Sequence, residues 1–405
     1  MVEPSLVVKG ACRARLRMTM GGGNHGLGGR STLHARCLFH ARAMPSVKVD
    51  LAERSYEVLV QPGVLGRAGE LIIAAGLGGL RAAVISDGTV AGFHAAGLME
   101  SLEAAGFRPS LHTVAAGESS KSLGNLETLS REMIRAGHDR KSMVVALGGG
   151  VVGDLAGFVA AVFYRGIPLV QIPTTIVAQV DSSVGGKTGV NVAEGKNLLG
   201  AFHQPRLVIV DPQTLRTLPA RKFHEGFAEA IKHAAIRDAA MLDDLAGLDP
   251  ASREVPAELI ARNIAIKARV VEADEYELLE IRALLNFGHT IGHGIEAALP
   301  YGQLLHGEAI ALGMRAALKI SESHAGLSAA ASAKVLGLLK HYQLPLVLPP
   351  EITTETVMEK LARDKKFSAG EIRFVVLEAL GVAKVIRTVT ERDLRDAIEA
   401  LRENC

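Results

Sequence analysis

The chain has 405 residues and a formal net charge of +2, with 48% hydrophobic and 22% charged residues. That length exceeds one simple core, so two domains are expected, and the composition is that of a globular chain rather than a disordered one. The small net charge argues against a nucleic-acid binder, and the lack of a long apolar run argues against a membrane span.

Residues 1–43 differ from the rest. They hold seven Lys/Arg, a single acid (Glu3) and the run GGGNHGLGG. This segment reads as a disordered or non-native N-terminal extension, with an organelle-targeting segment as the other reading. Two of the three cysteines, Cys12 and Cys37, lie here, and Cys405 ends the chain. A disulfide framework is not expected, and a reducing, cytoplasmic setting fits.

From Met44 onward strands and helices alternate. YEVLVQ reads as a strand and LIIAAG as the end of a helix. RAAVISD reads as a buried strand ending at Asp87. SMVVALGGG, PLVQIPTT and RLVIVDP are further short β-branched runs, each closed by Gly, Thr or Pro. Strands spaced by helical lengths imply parallel pairing. After about Pro219 the texture becomes helical, so a boundary is expected near residues 212–222. A β-rich return, IRFVVLEALGVAKVIRTV, precedes the last helix.

VVALGGGVVGDLAGF runs from a strand into a helix. Gly148 to Gly150 leave space for a ligand, and Gly153 and the helix N-terminus could present N–H groups to a pyrophosphate. The strict G-x-G-x-x-G pattern is absent, and a tight strand-to-helix turn is the plain alternative. Other polar groups end neighbouring strands: Asp87, suited to a ribose hydroxyl; the GESSKS segment; and Thr174 with Thr175. Ligands of open α/β sheets bind beyond the carboxyl ends of strands, which favours a dinucleotide.

DSSVGGKTGVNVAEGKNLLG reads as a glycine-broken loop carrying Asp181, Lys187, Asn191, Lys196 and Asn197. Such a loop is ordinarily solvated surface. Its apolar flanks favour instead a small anionic ligand that partners the charges. Further on, His289 and His293 stand four residues apart, which places both on one helix face. Glu229 precedes Lys232 by three residues, and His306 heads another helix. A Glu–His–His set suits a metal with one open position, whereas a helical His pair alone is more often structural.

GGGVVGDLAGF, IPTT, DSSVGGKTGVN, GKNLLGAF, AEAIKH, LNFGHTIGHGIE and LHGEAIALGM, in that order, resemble the 3-dehydroquinate synthases, sugar phosphate cyclases of the shikimate pathway. The resemblance runs from about Met44 to the C-terminus. It implies an α/β + α architecture. A Rossmann-like, parallel-sheet NAD-binding domain over residues 44–218 would precede a mainly helical metal- and substrate-binding domain over residues 219–405. It also implies a cytoplasmic homodimer that uses NAD and one divalent metal, zinc or alternatively cobalt. The activity implied is that of a carbon–oxygen lyase. It turns the sugar phosphate 3-deoxy-D-arabino-heptulosonate 7-phosphate into 3-dehydroquinate and phosphate by transient oxidation, elimination, re-reduction and intramolecular aldol closure.

By motif, the resemblance assigns the metal to Glu229, His289 and His306. It assigns NAD to Asp87, Glu118, Lys121, Gly150, Val151, Val152, Gly153, Asp154, Thr174, Thr175, Thr214, Leu215, Arg216 and Thr217, with Lys187 and Lys196 at the cofactor or active site. Asp181 and Lys232 would address substrate hydroxyls. Lys187, Asn197, Asn286 and His293 would surround the phosphate, and Lys267 and Arg282 the carboxylate. Arg165 would reach the phosphate of a neighbouring subunit, and Lys365 or Lys366 would join the anion cluster. Two departures stand out. Glu280 occupies the place of a usual glycine in a stretch one residue longer than the pattern, and Thr89 stands where Asn is common. Inosose- and valiolone-type cyclases, and an amino-dehydroquinate synthase, are the alternatives; Arg282 with Asn286 favours a substrate that carries a carboxylate.

Overall fold

The computed structural model describes residues 45–79, 81–300, 302–362 and 372–403. The extension at 1–43, the three cysteines, Lys365 and Lys366 lie outside the described residues.

The first half follows the expected alternation. Strands β1 (Ser46–Val49) and β2 (Tyr56–Val60) lead through α1 (Ala68–Ile72) to β3 (Arg81–Asp87) and α2 (Gly88–Ala104). Then come β4 (Arg108–Val114), α3 (Leu123–Arg135), β5 (Ser142–Gly148), α4 (Gly150–Val162) and β6 (Leu169–Pro173). A hairpin of β7 (Lys187–Val192) and β8 (Gly195–Phe202) precedes β9 (Leu207–Val210). Seven strands form one sheet in the order β1-β2-β9-β6-β5-β3-β4. All its pairings are parallel except β1 with β2, which run antiparallel. Only a short turn joins those two, too short for the crossover a parallel pair needs.

The parallel strands are covered on both faces, as their unbroken apolar runs require. On β3, Ala82 and Val84 pack with Leu98 and Leu102 of α2, while Ala83 and Ile85 pack with Leu129 of α3 and Leu155 of α4. Alternate residues thus serve opposite layers.

The second half is helical: α5 (Ala220–Arg237), α6 (Met241–Ala246), α7 (Ala257–Ala273), α8 (His289–Ala297), α9 (His306–Ala325), α10 (Ala329–His341) and α11 (Thr354–Ala362). The β-rich return is an antiparallel pair, β10 (Phe374–Ala379) with β11 (Val382–Ile386), followed by α12 (Glu391–Glu399). The α12 start is fixed by a capping box between Thr390 and Asp393. One apolar core runs from Val58 and Val208 of the sheet through Ile231 of α5 to Ile310 of α9. No helix among the described residues is long and apolar enough to cross a membrane.

The segment read as a loop is the β7–β8 hairpin, and the glycines that suggested a loop are what let the strands meet. A Cβ on Gly200 would lie 2.0 Å from the Thr188 carbonyl oxygen, and one on Gly189 2.6 Å from that of Leu199. Gly157 of α4 likewise admits Thr188, whose Cγ2 would stand 2.4 Å from an added Cβ. The hairpin is therefore pressed onto α4.

At the far edge of the sheet, the Ser110 hydroxyl bridges two buried histidines, 2.8 Å from His112 Nε2 and 2.6 Å from His138 Nε2. Glu132 lies 3.3 Å from His112 Nδ1. Burial, then the neighbouring His112 and Arg81, pushes His138 down to about 4 from 6.5. The unfolded chain therefore takes up this proton first as pH falls, and stability should decline from pH 6.5 toward 4 by up to about 3 kcal/mol. His138→Gln is expected to flatten that decline. Denaturant titrations of both proteins at about pH 7 and about pH 4.5 check it. A wild-type-to-variant difference that is the same at both pH values would refute it.

Candidate active site

Glu229 lies in the central turns of α5, where the helix is enclosed on every side and Phe223, Ile231 and Ala235 are buried. Its carboxylate is fully buried. Lys232, one turn on, donates to Oε2. Oε1 faces His289 Nε2 at 3.4 Å and His306 Nε2 at 3.3 Å. One ligand atom from each of Glu229, His289 and His306 lies within 4.8 Å of the others. His289 donates from Nδ1 to the Phe287 carbonyl, 3.2 Å away, which leaves Nε2 directed at Glu229. His293 stays with the group, its ring 5.1 Å from His289 and 6.0 Å from His306.

Close backbone contact between three helices makes this convergence possible. A Cβ on Gly313 of α9 would lie 2.0 Å from the Gly288 carbonyl oxygen at the head of α8. One on Gly307 would lie 1.9 Å from the Glu225 carbonyl oxygen of α5. Gly288 itself has φ +79°, a left-handed conformation that suits glycine. The α9 N-terminus is then satisfied from α5. Glu225 accepts from the Gly307 N–H at 2.9 Å, and Glu308, held by both nitrogens of an Arg221 fork, accepts from Leu305 N–H at 2.8 Å.

The electrostatics favour a cation at this point. Burial alone would raise the Glu229 carboxyl, but Lys232 and the two rings hold it well below the usual carboxylate range. Burial alone would lower His306, yet Glu229 and Glu296 push it up to about 10. The buried Glu229 and the largely buried Glu296 thus draw positive charge to the imidazole. Glu229, His289 and His306 fit a divalent metal by donor type, spacing and field.

Beside this cluster, Asp181 receives Lys267 Nζ at 2.9 Å and has His233 Nε2 at 3.5 Å. Burial would raise it, but Lys267, Lys232 and His233 keep it well below the usual range. Arg282 is buried, donating to the Glu275 carbonyl at 2.6 Å and the Gly185 carbonyl at 3.2 Å. Lys187 pairs with Glu277 at 2.5 Å. Loss of hydration and repulsion from Arg282 lower Lys187 below its ordinary value, and burial and Arg282 lower Lys267. These cations are undercompensated, which suits an anionic ligand. Asn286 closes the 3₁₀ turn Arg282–Asn286, half-buried, just before α8.

At the carboxyl ends of the strands, α4 begins at Gly150, and its N-cap Gly149 offers no side-chain cap. A Cβ on Gly149 would come 3.0 Å from Thr175, and one on Gly150 3.0 Å from Ser182. The glycines therefore serve both a tight turn and an open helix N-terminus. Thr174 has a buried hydroxyl with no hydrogen-bond partner among the described residues. Lys121 bonds Asp154 at 2.7 Å and Asn197 at 2.5 Å, and Glu118 accepts from Asn191 at 2.8 Å. Asp87 caps α2 through Oδ1, accepting from Thr89 and Val90 N–H. Val152 packs inward, unlike the half-buried Val151 and Gly153's neighbour Asp154.

The N-terminal model of the 3-dehydroquinate synthases matches residues 111–225, and the C-terminal model of the same family matches residues 226–367. The chain belongs to the 3-dehydroquinate synthase family. The 3-dehydroquinate synthase of Pelobacter propionicus is 44% identical over 353 residues, covering 86% of this chain and 98% of that one. Two solved structures show the same fold. A 2-epi-5-epi-valiolone synthase from Streptomyces hygroscopicus, with NAD+ and Zn2+ bound, is 31% identical with a TM-score of 0.78, covering 85% of this chain and 96% of its own. A 2-deoxy-scyllo-inosose synthase with carbaglucose-6-phosphate, NAD+ and Co2+ is 26% identical with a TM-score of 0.79, covering 88% and 99%.

Other residues expected from the family motifs have partners or settings of their own. Thr214 and Leu215 are buried, with the Thr214 hydroxyl already bonded to Gln179 and to the Asp211 carbonyl. Arg216 pairs outward with Glu254, and Thr217 bonds His94. Arg165 sits on an exposed turn at φ +68°. Lys196 joins the cluster through Glu296. Glu277, His233 and Glu296 were not singled out from the sequence. His233 and Glu296 lie one turn or less from a motif residue on the same helix, and that spacing was the available signal. Glu280, in the place of the family's glycine, adopts φ +62° and is clasped by Arg373 at 3.4 Å and Arg387 at 2.5 Å.

Gly307→Ala should force α9 away from α5. Overpacking of this kind costs about 1–3 kcal/mol, a drop of roughly 2–10 °C in thermal midpoint. Differential scanning calorimetry checks it, and a variant melting with the wild type would show that the helices part freely.

Proposed function

We propose that this chain converts 3-deoxy-D-arabino-heptulosonate 7-phosphate to 3-dehydroquinate and phosphate. It acts as a cytoplasmic, NAD- and zinc-dependent carbon–oxygen lyase in aromatic amino acid biosynthesis, and works as a homodimer. Family membership at 44% identity over nearly the whole of a relative supports the reaction. The observation that carries the site is the meeting of Glu229, His289 and His306, from three helices, beside Asp181 and the undercompensated cations. Bound here, NAD would supply reversible oxidation of one carbinol carbon, and the metal would supply Lewis acidity toward adjacent hydroxyls.

The chain's own groups have distinct tasks in this reading. Lys232 engages one Glu229 oxygen, so the other stays directed at the two imidazoles. Asp181, kept ionised by Lys267, Lys232 and His233, accepts from a substrate hydroxyl. Lys267 and Arg282 fix the substrate carboxylate. Lys187, Asn197, Asn286 and His293 hold the phosphate in line for elimination, with Arg165 contributed by the second copy. No strong base is required, because the departing phosphate dianion can accept the proton. Much of the rate enhancement then comes from positioning and fixed charge. Asp87, Glu118, Lys121, Thr174, Thr175 and the N–H groups from Gly150 to Asp154 hold the dinucleotide beyond the strand ends. The boundary at 218/219 separates this cofactor half from the metal half.

Phosphate release from the heptulosonate phosphate, with and without NAD and a chelator, tests the reaction. Release is expected only with both NAD and metal present, and no release under any condition would overturn it. His289→Ala is expected to lose bound metal and turnover together, read by metal analysis and steady-state kinetics. Full metal content in that variant would remove His289 from the ligand set. Lys187→Ala should cut turnover by about 100-fold or more while the circular dichroism spectrum is unchanged. Wild-type kinetics would exclude Lys187 from the site.

A further inference from the structure

Glu296 follows His293 by three residues and His289 by seven, so α8 presents all three on one face. Its carboxylate is nearly buried, with the side chain 15% exposed. A buried carboxylate needs partners, and the two oxygens of Glu296 take different ones. Oε2 lies 3.4 Å from His306 Nδ1, and Oε1 accepts from Lys196 Nζ at 2.8 Å. The first partner heads α9, and the second sits on β8.

We propose that Glu296 is a positioning residue that orients His306 for metal binding and anchors the β7–β8 hairpin to the same point through Lys196. The inference rests on the metal site proposed above. A carboxylate can only accept, so with a metal at Nε2 Glu296 would hold the ring's remaining proton at Nδ1 and leave the Nε2 lone pair to the ion. That nitrogen is the one facing Glu229, 3.3 Å from Oε1. His289 is oriented by the Phe287 carbonyl on its own Nδ1. Each imidazole of the set thus has a dedicated acceptor behind it, and Glu296 is the charged one. Because the same carboxylate holds Lys196, its loss would loosen the ring and remove one tie of the hairpin together.

Glu296→Ala and Glu296→Gln, as full-length protein, are compared with wild type by chelator competition for Zn2+ and for Co2+. Glu296→Ala should weaken metal affinity by about 10–100-fold. Glu296→Gln, whose amide oxygen still accepts from Nδ1, should weaken it less and recover the wild-type Co2+ absorption spectrum. Wild-type affinity in Glu296→Ala would overturn the proposal. If that variant does not fold, unchanged affinity together with an unchanged Lys187- and Lys196-side proteolysis pattern in Glu296→Gln would do so. His289→Ala separates the two readings. If it too binds metal like wild type, the metal site itself is wrong; if it alone loses metal, only the role of Glu296 fails.

Discussion

The Glu229 carboxylate is charged and fully buried at the centre of a helix, and its surroundings are organised around that charge. Lys232 neutralises one oxygen from the next turn of the same helix. The other oxygen is left to the imidazoles of two further helices. An isolated buried carboxylate would take up a proton; here the neighbouring positive groups hold it ionised. Removing either kind of partner would leave the charge uncompensated, so the helices that carry the partners are bound to α5 by electrostatics as well as by packing.

Packing sets how near those helices come. Helices that pack through their side chains ordinarily stand about 8–10 Å apart. Gly288, Gly307 and Gly313 remove that spacing at the positions beside the histidines. The acid–amide contact from Glu225 to Gly307 then replaces hydration at the α9 terminus. The same device recurs in the first half, where Gly157 of α4 admits Thr188 and Gly189 and Gly200 let the hairpin close. At these positions glycine marks contact between elements rather than a break in one.

That double meaning explains what the sequence revealed and what it hid. The buried strands were legible because β3 and β5 are continuous apolar runs, and the helical half because its periodicity is clear. The polar strand ends at Asp87, Gly149 and Thr174 were legible for the same reason, since a parallel sheet fixes which end faces the ligand. The β7–β8 hairpin was not, because five glycines read as punctuation outweighed a weak alternation. Glu229, His289 and His306 were named through motifs; nothing in their spacing says that α5, α8 and α9 meet. Glu296 and His233 escaped notice because their partners lie far along the chain, on β8 and on the turn holding Asp181.

The Lys121 ammonium sits between Asp154 and Glu118 on one side and Asn197 of the hairpin on the other, and the hairpin also bonds the same loop through Asn191. The hairpin and the 117–122 loop are consequently tied into one hydrogen-bonded unit. Under the proposed function, a graft of β7–β8 from a relative, intended to change which sugar is accepted, would also strip hydrogen-bond partners from the loop proposed to hold the dinucleotide. Redesign of either preference must exchange both segments as a matched pair.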